Sequence, residues 1–218
     1  MELLPATIDK YIKDSAINCI VCGSMNGEAR NDESNLIETI ACLDCGSTWE
    51  NHLSITSISH LNIPSDKIIY IKGDATKLPF EPAMIAHIVN DQGGWGAGFS
   101  GALTKQFGSG PKDHYKKIQR EQASQGRRHG YCALYKGPGP IIMHMFAQRG
   151  YASTDNPHPL NLDDLNTCLG ILYRSAVERE LTVHMPRIGT GYGGGTWDEV
   201  ESLINKHRGT VTTFVYSL

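Results

Sequence analysis

The sequence predicts an α/β protein: a three-layer α/β/α sandwich on a mixed, centrally parallel sheet, with a small β module ahead of it. Three observations carry that prediction. From residue 67 onward, short apolar runs of strand length alternate with helical periodicity, the pattern of a mostly parallel sheet covered on both faces. Twelve of the 23 glycines sit in two stretches, 93–110 and 189–195, in connections between strand and helix. Four of the six cysteines fall within the first 45 residues. Cysteine and glycine are thus segregated, which divides the 218 residues into two modules, 1–64 and 65–218.

Taken in order, the second module opens with the run KIIYI (67–71), a strand, followed by MIAHIVN (84–90), another. Residues 100–107 read as a short helix and 112–123 as a polar one. Residues 131–135 and 141–146 are apolar runs of strand length. Between 161 and 180, Leu162, Leu165, Leu169, Leu172, Ala176 and Val177 recur on one helical stripe. Residues 181–188 form a strand. Thr196 followed by Glu199 is a capping box opening a helix over 197–208, and Gly209 is its C-cap. Residues 211–216 close the module as a strand.

Composition sets limits on function. With 40% hydrophobic and 20% charged residues, the chain can build a packed core. A net charge of −3 excludes a uniformly basic nucleic-acid coat protein. The charge is uneven: residues 1–64 hold nine acidic and three basic residues, whereas 65–218 hold fourteen and seventeen. No apolar run approaches the ~18 residues of a membrane-spanning helix. The opening MELLPATIDKYIKD has an acid at position 2 and no apolar stretch of a signal peptide, so a reducing cytoplasm is the expected compartment.

The N-terminal cysteines read Cys19-Ile-Val-Cys22-Gly and Cys42-Leu-Asp-Cys45-Gly, with nineteen residues between the pairs. A two-residue gap lets both sulfurs of a pair reach one ion, and four such sulfurs match structural zinc. Residues 36–41 and 47–56 read as the strands that carry the second pair. A module this short cannot bury much core, so a metal would provide its folding energy. Disulfides fit poorly without an export signal, and tandem redox C-x-x-C pairs are unusual. The segment 17–58 resembles a zinc ribbon. Because it is acidic, a structural or protein-contact role is expected rather than DNA binding. Cys132 and Cys168 are read as buried small hydrophobes.

In open parallel sheets, ligands bind beyond the carboxyl ends of the strands, and both glycine stretches fall there. The first is Asp91-Gln-Gly-Gly-Trp-Gly-Ala-Gly98; the second is Gly189-Thr-Gly-Tyr-Gly-Gly-Gly195. Each precedes a helix, so backbone N–H groups and the helix dipole can meet an anion. An isolated loop of this kind is an ordinary tight turn. Two at the ends of neighbouring strands would clamp a diphosphate from both sides. Neither a Walker A loop nor a Rossmann fingerprint is present, and no redox cofactor is implied.

At these residues the sequence resembles a macro domain, the ADP-ribose-binding module. The matching pieces are Lys72-Gly-Asp-Ala-Thr76, His87-Ile-Val-Asn-Asp91 running into the first glycine loop, Met143-His-Met-Phe-Ala-Gln148, Met185-Pro-Arg-Ile-Gly-Thr-Gly191 and Phe214-Val-Tyr-Ser-Leu218. They span 67–218 in the expected order, and the branch with ADP-ribosyl-glutamate hydrolases is the most similar. The resemblance implies that Asp74, with Ala75, meets the adenine, that Asn90 faces the distal ribose, and that Gly94, Gly96, Ala97, Gly98 and Phe99 form the first phosphate loop. It implies Gly189, Thr190, Gly191, Tyr192 and Gly193 as the second phosphate loop, Leu218 in the strand flanking the adenine, and Arg187 as either a phosphate contact or an ion-pair residue. Trp95 is read as a loop anchor or a ligand contact. A lysine and an aspartate used by one hydrolase group correspond here to Ala147 and Gly193, so a covalent lysine mechanism is not expected.

Cleavage of an ADP-ribosyl ester needs a water aimed at the anomeric carbon and stabilisation of developing charge. Asp91 and Gln148 are the expected catalytic residues, Asp91 to deprotonate or orient the water and Gln148 to position it. His87 is a rival acid/base or else a core histidine. The expected function is removal of mono-ADP-ribose from protein, with ADP-ribosylated nucleic acid as a further substrate class. A non-catalytic reader of ADP-ribose and a phosphatase of ADP-ribose 1″-phosphate are the alternatives. The basic residues Lys112, Lys116, Lys117, Arg120, Arg127 and Arg128 are a solvated helix face or a surface that steers an anionic target.

Overall fold

The computed structural model describes residues 2–3, 19–25, 27–32, 37–52, 58–62, 67–78 and 80–217. The strands are β1 (Glu2–Leu3), β2 (Gly27–Asp32), β3 (Ile37–Cys42), β4 (Thr48–His52), β5 (Ile58–Asn62), β6 (Ile68–Lys72), β7 (Phe80–Glu81), β8 (Ala83–Asn90), β9 (Cys132–Tyr135), β10 (Ile141–Gln148), β11 (Thr182–Pro186) and β12 (Thr213–Ser217). The helices are α1 (Phe99–Phe107), α2 (Gly110–Ser124), α3 (Leu162–Glu178) and α4 (Trp197–Arg208).

The main sheet runs β6-β12-β11-β8-β10-β9. Its first five strands are parallel and β9 is antiparallel at the edge. This is the expected mixed, centrally parallel sheet. β8 and β10 are buried along nearly their whole length, as strands covered on both faces must be. One face carries α3 and α4, packed on Met84, Ala86, Met143, Met145, Met185 and Val215. The opposite face carries α1 and α2, with Leu103 set against Ile85 and Ile142, and Tyr115 with Val89 and Phe146.

Helix ends follow their sequence signals. Asn161 Oδ1 accepts from the Asp164 N–H at the start of α3, and Thr196 and Glu199 form the reciprocal capping box of α4. The stripe on α3 differs from expectation at its end. Leu165, Leu169, Leu172 and Ala176 are buried together with Cys168 and Tyr173, whereas Val177 is 62% exposed. Val177 stands about 100° round the helix from buried Ala176, which turns it off the stripe toward solvent.

The N-terminal module is an antiparallel sheet, β2-β3-β4-β5. β3 and β4 fall near their expected positions, and residues 53–56 of the second expected strand lie outside the described residues. β2 and β5 had no strand signature, since GEARND and ISHLN have no clear alternation; pairing to β3 and β4 places them. A two-stranded pairing of β1 with β7 completes the topology.

Candidate functional site

Two tight turns in the N-terminal module are built alike. Gly23 N–H donates to Cys19 O and Gly46 N–H to Cys42 O, each at 2.8 Å. Together they bring Cys19, Cys22, Cys42 and Cys45 into one group, with all four sulfurs within 4.8 Å of one another. Cys19 Sγ is 3.6 Å from Cys45 Sγ, and Cys22 Sγ is 3.7 Å from Cys42 Sγ. A disulfide needs ~2.05 Å, so these thiols are free. Zinc–sulfur bonds of about 2.3 Å in a tetrahedron place sulfurs about 3.8 Å apart, which these spacings meet. Sulfur hydrogen bonds from Cys22 and Cys45, with burial, push the Cys19 thiol up. Four thiolates this close repel one another, so holding them together requires a cation. The donor set fits zinc, with one sulfur from each of the four residues available to a single ion.

The second site is a cavity of about 860 Å³ at the carboxyl ends of the parallel strands. It is lined from four connections: 73–75 after β6, 94–100 after β8, 148–152 after β10 and 187–193 after β11. β6 and β10 are separated by three strands. At about 4.8 Å per spacing, the cavity bridges roughly 19 Å of sheet edge. The site is long enough for an extended dinucleotide-sized ligand.

Its middle is made of backbone amides. Gly98 caps α1 with φ 61°, a left-handed geometry that glycine adopts without strain. The N–H groups of Ala97, Gly98 and Phe99, at the start of α1, donate to no acceptor among the described residues. The same holds for the N–H groups of Thr190, Gly191, Tyr192 and Gly193 in the second loop. That loop is closed by its own bonds, Gly195 N–H to Gly189 O and Gly194 N–H to Gly191 O, both 3.0 Å. The loops meet where the Tyr192 ring lies near Gly98. Unpaired amides in a concave site are an anion cradle.

The residues expected to bind divide as follows. Asp74, Ala75, Asn90, Gly94, Ala97, Gly98, Phe99, Arg187, Gly189, Thr190, Gly191, Tyr192 and Gly193 line the cavity. Gly96 does not; its N–H donates to Ser100 Oγ at 2.9 Å and so shapes the loop from behind. Leu218 lies outside the described residues. Asp74 Oδ1 accepts from the Thr76 N–H at 2.9 Å and the Thr76 hydroxyl at 2.8 Å. The turn thereby fixes the carboxylate and leaves Oδ2 for a ligand. The Arg187 guanidinium sits 5.3 Å from the Trp197 ring centre and 5.8 Å from that of Tyr70, a cation–π stack. Trp95 Nε1–H donates to Thr104 Oγ1 at 2.7 Å, which anchors the loop even though the residue also lines the cavity.

At the β8–β10 end, Asn90 organises the first loop. Its Oδ1 accepts from the N–H groups of Gln92 and Gly94 and from the Tyr115 hydroxyl, and its Nδ2 donates to Gly94 O. Gln148 lines the cavity and spends one Nε2 hydrogen on Gly150 O at 3.0 Å. Asp91 is placed differently from what its sequence position suggests. Its Oδ1 accepts from the Gly150 N–H at 2.7 Å, Oδ2 is 3.9 Å from His129 Nε2, and it is absent from the cavity lining. His87 does line the cavity, but only 2% of it is exposed. Burial pushes its pKa down to about 3, and Nε2 is 2.6 Å from His144 Nδ1. It is a neutral core histidine.

Sequence reading missed Tyr151, Ser100 and Tyr216 in the lining. Tyr216 could have been found from its place in the terminal strand. Tyr151 had no signal, because it reaches the cavity only through the turn after β10.

The family model of the macro domain matches residues 86–204, and the chain belongs to the macro domain family. A macrodomain protein from Streptomyces coelicolor is 33% identical, with 70% of this chain and 99% of that chain covered at a TM-score of 0.59. ADP-ribose 1″-phosphate phosphatase from Meyerozyma guilliermondii is 26% identical over 68% of this chain and 98% of its own length. ADP-ribose glycohydrolase OARD1 from Homo sapiens is 24% identical over 64% of this chain and 83% of its own. The chain spans only 19% and 17% of the chromodomain-helicase-DNA-binding protein 1-like relatives from Mus musculus and Danio rerio, at 25% and 27% identity. Among the described residues, no helix is long and apolar enough to cross a membrane.

Proposed function

We propose that this chain binds ADP-ribose and hydrolyses mono-ADP-ribose from modified macromolecules, with an ester to an acidic side chain as its substrate class. The observation that carries the reading is the pair of open amide rows, 97–99 and 190–193, in one cavity. They suit a diphosphate at the centre. Asp74 and Tyr216 then serve the adenine end, and Asn90, Gln148 and Tyr151 the distal ribose. The relatives named for ADP-ribose chemistry support the ligand. The four cysteines hold one structural zinc in a module spanning 1–64, ahead of a macro domain spanning 65–218.

Among the described residues, Asp74 is the only carboxyl lining the cavity, and it stands at the end opposite Gln148. The chemistry therefore runs without an enzyme carboxylate at the ribose. Gln148 orients water toward the anomeric carbon, an oxygen of the substrate's own diphosphate takes the proton, and the amide rows fix that diphosphate in place. The modified side chain leaves as its carboxylate.

The same observation favours a second reading, a reader that binds without turnover. Single-turnover assays on glutamate-modified protein, modified DNA and the 1″-phosphate separate the two. Release from the glutamate ester is the expected result; tight binding with no release from any substrate establishes the reader. Calorimetry showing no binding of free ADP-ribose overturns both.

A further inference from the structure

Among the described residues, no helix covers one side of the half of the sheet bearing β6 and β12. Side chains alternate there: Ile68 and Val215 belong to the core under α3 and α4. Ile69, Ile71, Phe214 and Tyr216 face the other way. On that side α1 and α2 pack over β8, β9 and β10. Over β6 and β12 the layer is instead completed by Cys19, Ile20, Val21, Cys42, Cys45 and Trp49, in one continuous buried cluster with Ile69, Ala75, Phe214 and Tyr216.

The two cysteine turns are not equivalent in this packing. The inner residues of the first, Ile20 and Val21, are buried at 8% and 3% exposure, whereas Leu43 in the second is 54% exposed. The first turn is thus wedged against the sheet, yet it belongs to no described strand. The sulfur cluster ties it to β3 and the second turn. Three members of the shared packing, Ala75, Phe99 and Tyr216, also line the cavity. Tyr216 is further held by His184, whose Nδ1 is 2.8 Å from the hydroxyl, while the His184 ring stacks on Phe214 at 4.6 Å.

We propose that the four-cysteine metal centre backs one wall of the ligand cavity, the wall formed by Ala75, Phe99 and Tyr216. The ion keeps the Ile20–Val21 wedge on β6 and β12, and the wedge keeps Ala75, Phe99 and Tyr216 in ligand-binding position. Metal occupancy therefore sets ligand affinity at the Asp74 end. The identity of the ligand rests on the reading above; the mechanical coupling does not.

The test uses the full chain, zinc-loaded and chelator-stripped, in reducing buffer, with amide hydrogen exchange and ADP-ribose calorimetry on each. Stripping is expected to raise exchange in 68–76 and 213–217 while 84–90 and 141–148 stay protected, and to weaken ADP-ribose binding about tenfold, as when only a tenth of molecules are competent. Added zinc restores both. Val21→Ser, which keeps every sulfur, is expected to weaken binding in the zinc-loaded chain. Unchanged exchange in 68–76 and 213–217, or loss of protection throughout the sheet, overturns the wall. So does measurable binding of equal affinity by the loaded and stripped chains. If the exchange response is local but the loaded chain binds no ADP-ribose, the wall stands and the functional reading falls.

Discussion

Tyr151 lies across Gly94 so closely that a β-carbon there would stand 2.4 Å from Tyr151 Cε1 and 2.6 Å from its hydroxyl oxygen. Gly94 itself has no positive φ, so its glycine serves close approach rather than backbone conformation. The ring joins the loop after β10 to the loop after β8 at the Gln148 end of the cavity.

Gly94→Ala should push that ring aside. Tyr151 is 49% exposed, so it can move without breaking the core. Stability should change by less than about 1 kcal/mol, while ADP-ribose affinity falls severalfold. Denaturant melts and calorimetry on the same preparation check both parts.

Gln148 and Asp91 should behave differently. Gln148→Ala should lower single-turnover release about 100-fold with nearly unchanged affinity, the scale of losing a positioned group. Asp91→Ala leaves the Gly150 N–H without its acceptor and should cost about 1–3 kcal/mol of stability. A release rate in Asp91→Ala as low as in Gln148→Ala, with native stability, would return Asp91 to the chemistry.

Metal analysis should find one zinc per chain, since the four sulfurs make one tetrahedral set. Cys22→Ser should lower metal content and the melting temperature together, and excess zinc should restore neither fully.

Acid should unfold the protein through its buried histidines. Burial pushes His87 and His184 down to about 3, and His144 well below its ordinary value as well. In the unfolded chain each titrates near 6.5. Between those values the unfolded state binds more protons, so stability is complete above about pH 6.5 and falls as pH drops toward 3. Each histidine contributes a slope of up to about 1.4 kcal/mol per pH unit. His184→Asn should flatten the curve, read from urea titrations at about pH 4.5, 5.5 and 7, which sample the window between the two values.

Much of the fold was legible because its signals are local. Val183 and Met185 alternate in a short run, Thr196 and Glu199 sit three apart, and Cys19 and Cys22 are spaced for one ion. Each such pattern is enforced within a few residues, by strand pleat, helix turn or ligand reach. The strand Gly27–Asp32 was not legible, because its stability comes from a partner strand rather than from its own residues.

The candidate site divides along the same line. Residue order alone determined the two glycine loops, their place after parallel strands and the pairing of the four clustered cysteines. Tertiary structure alone decided that the Asp91 carboxylate turns to Gly150, that Tyr151 rests on Gly94, and that Ile20 and Val21 finish the layer over Phe214 and Tyr216. Backbone conformation and ligand spacing are properties of neighbours in sequence. The direction of a side chain at a loop, and what covers a sheet face, are set by groups that approach from distant parts of the chain.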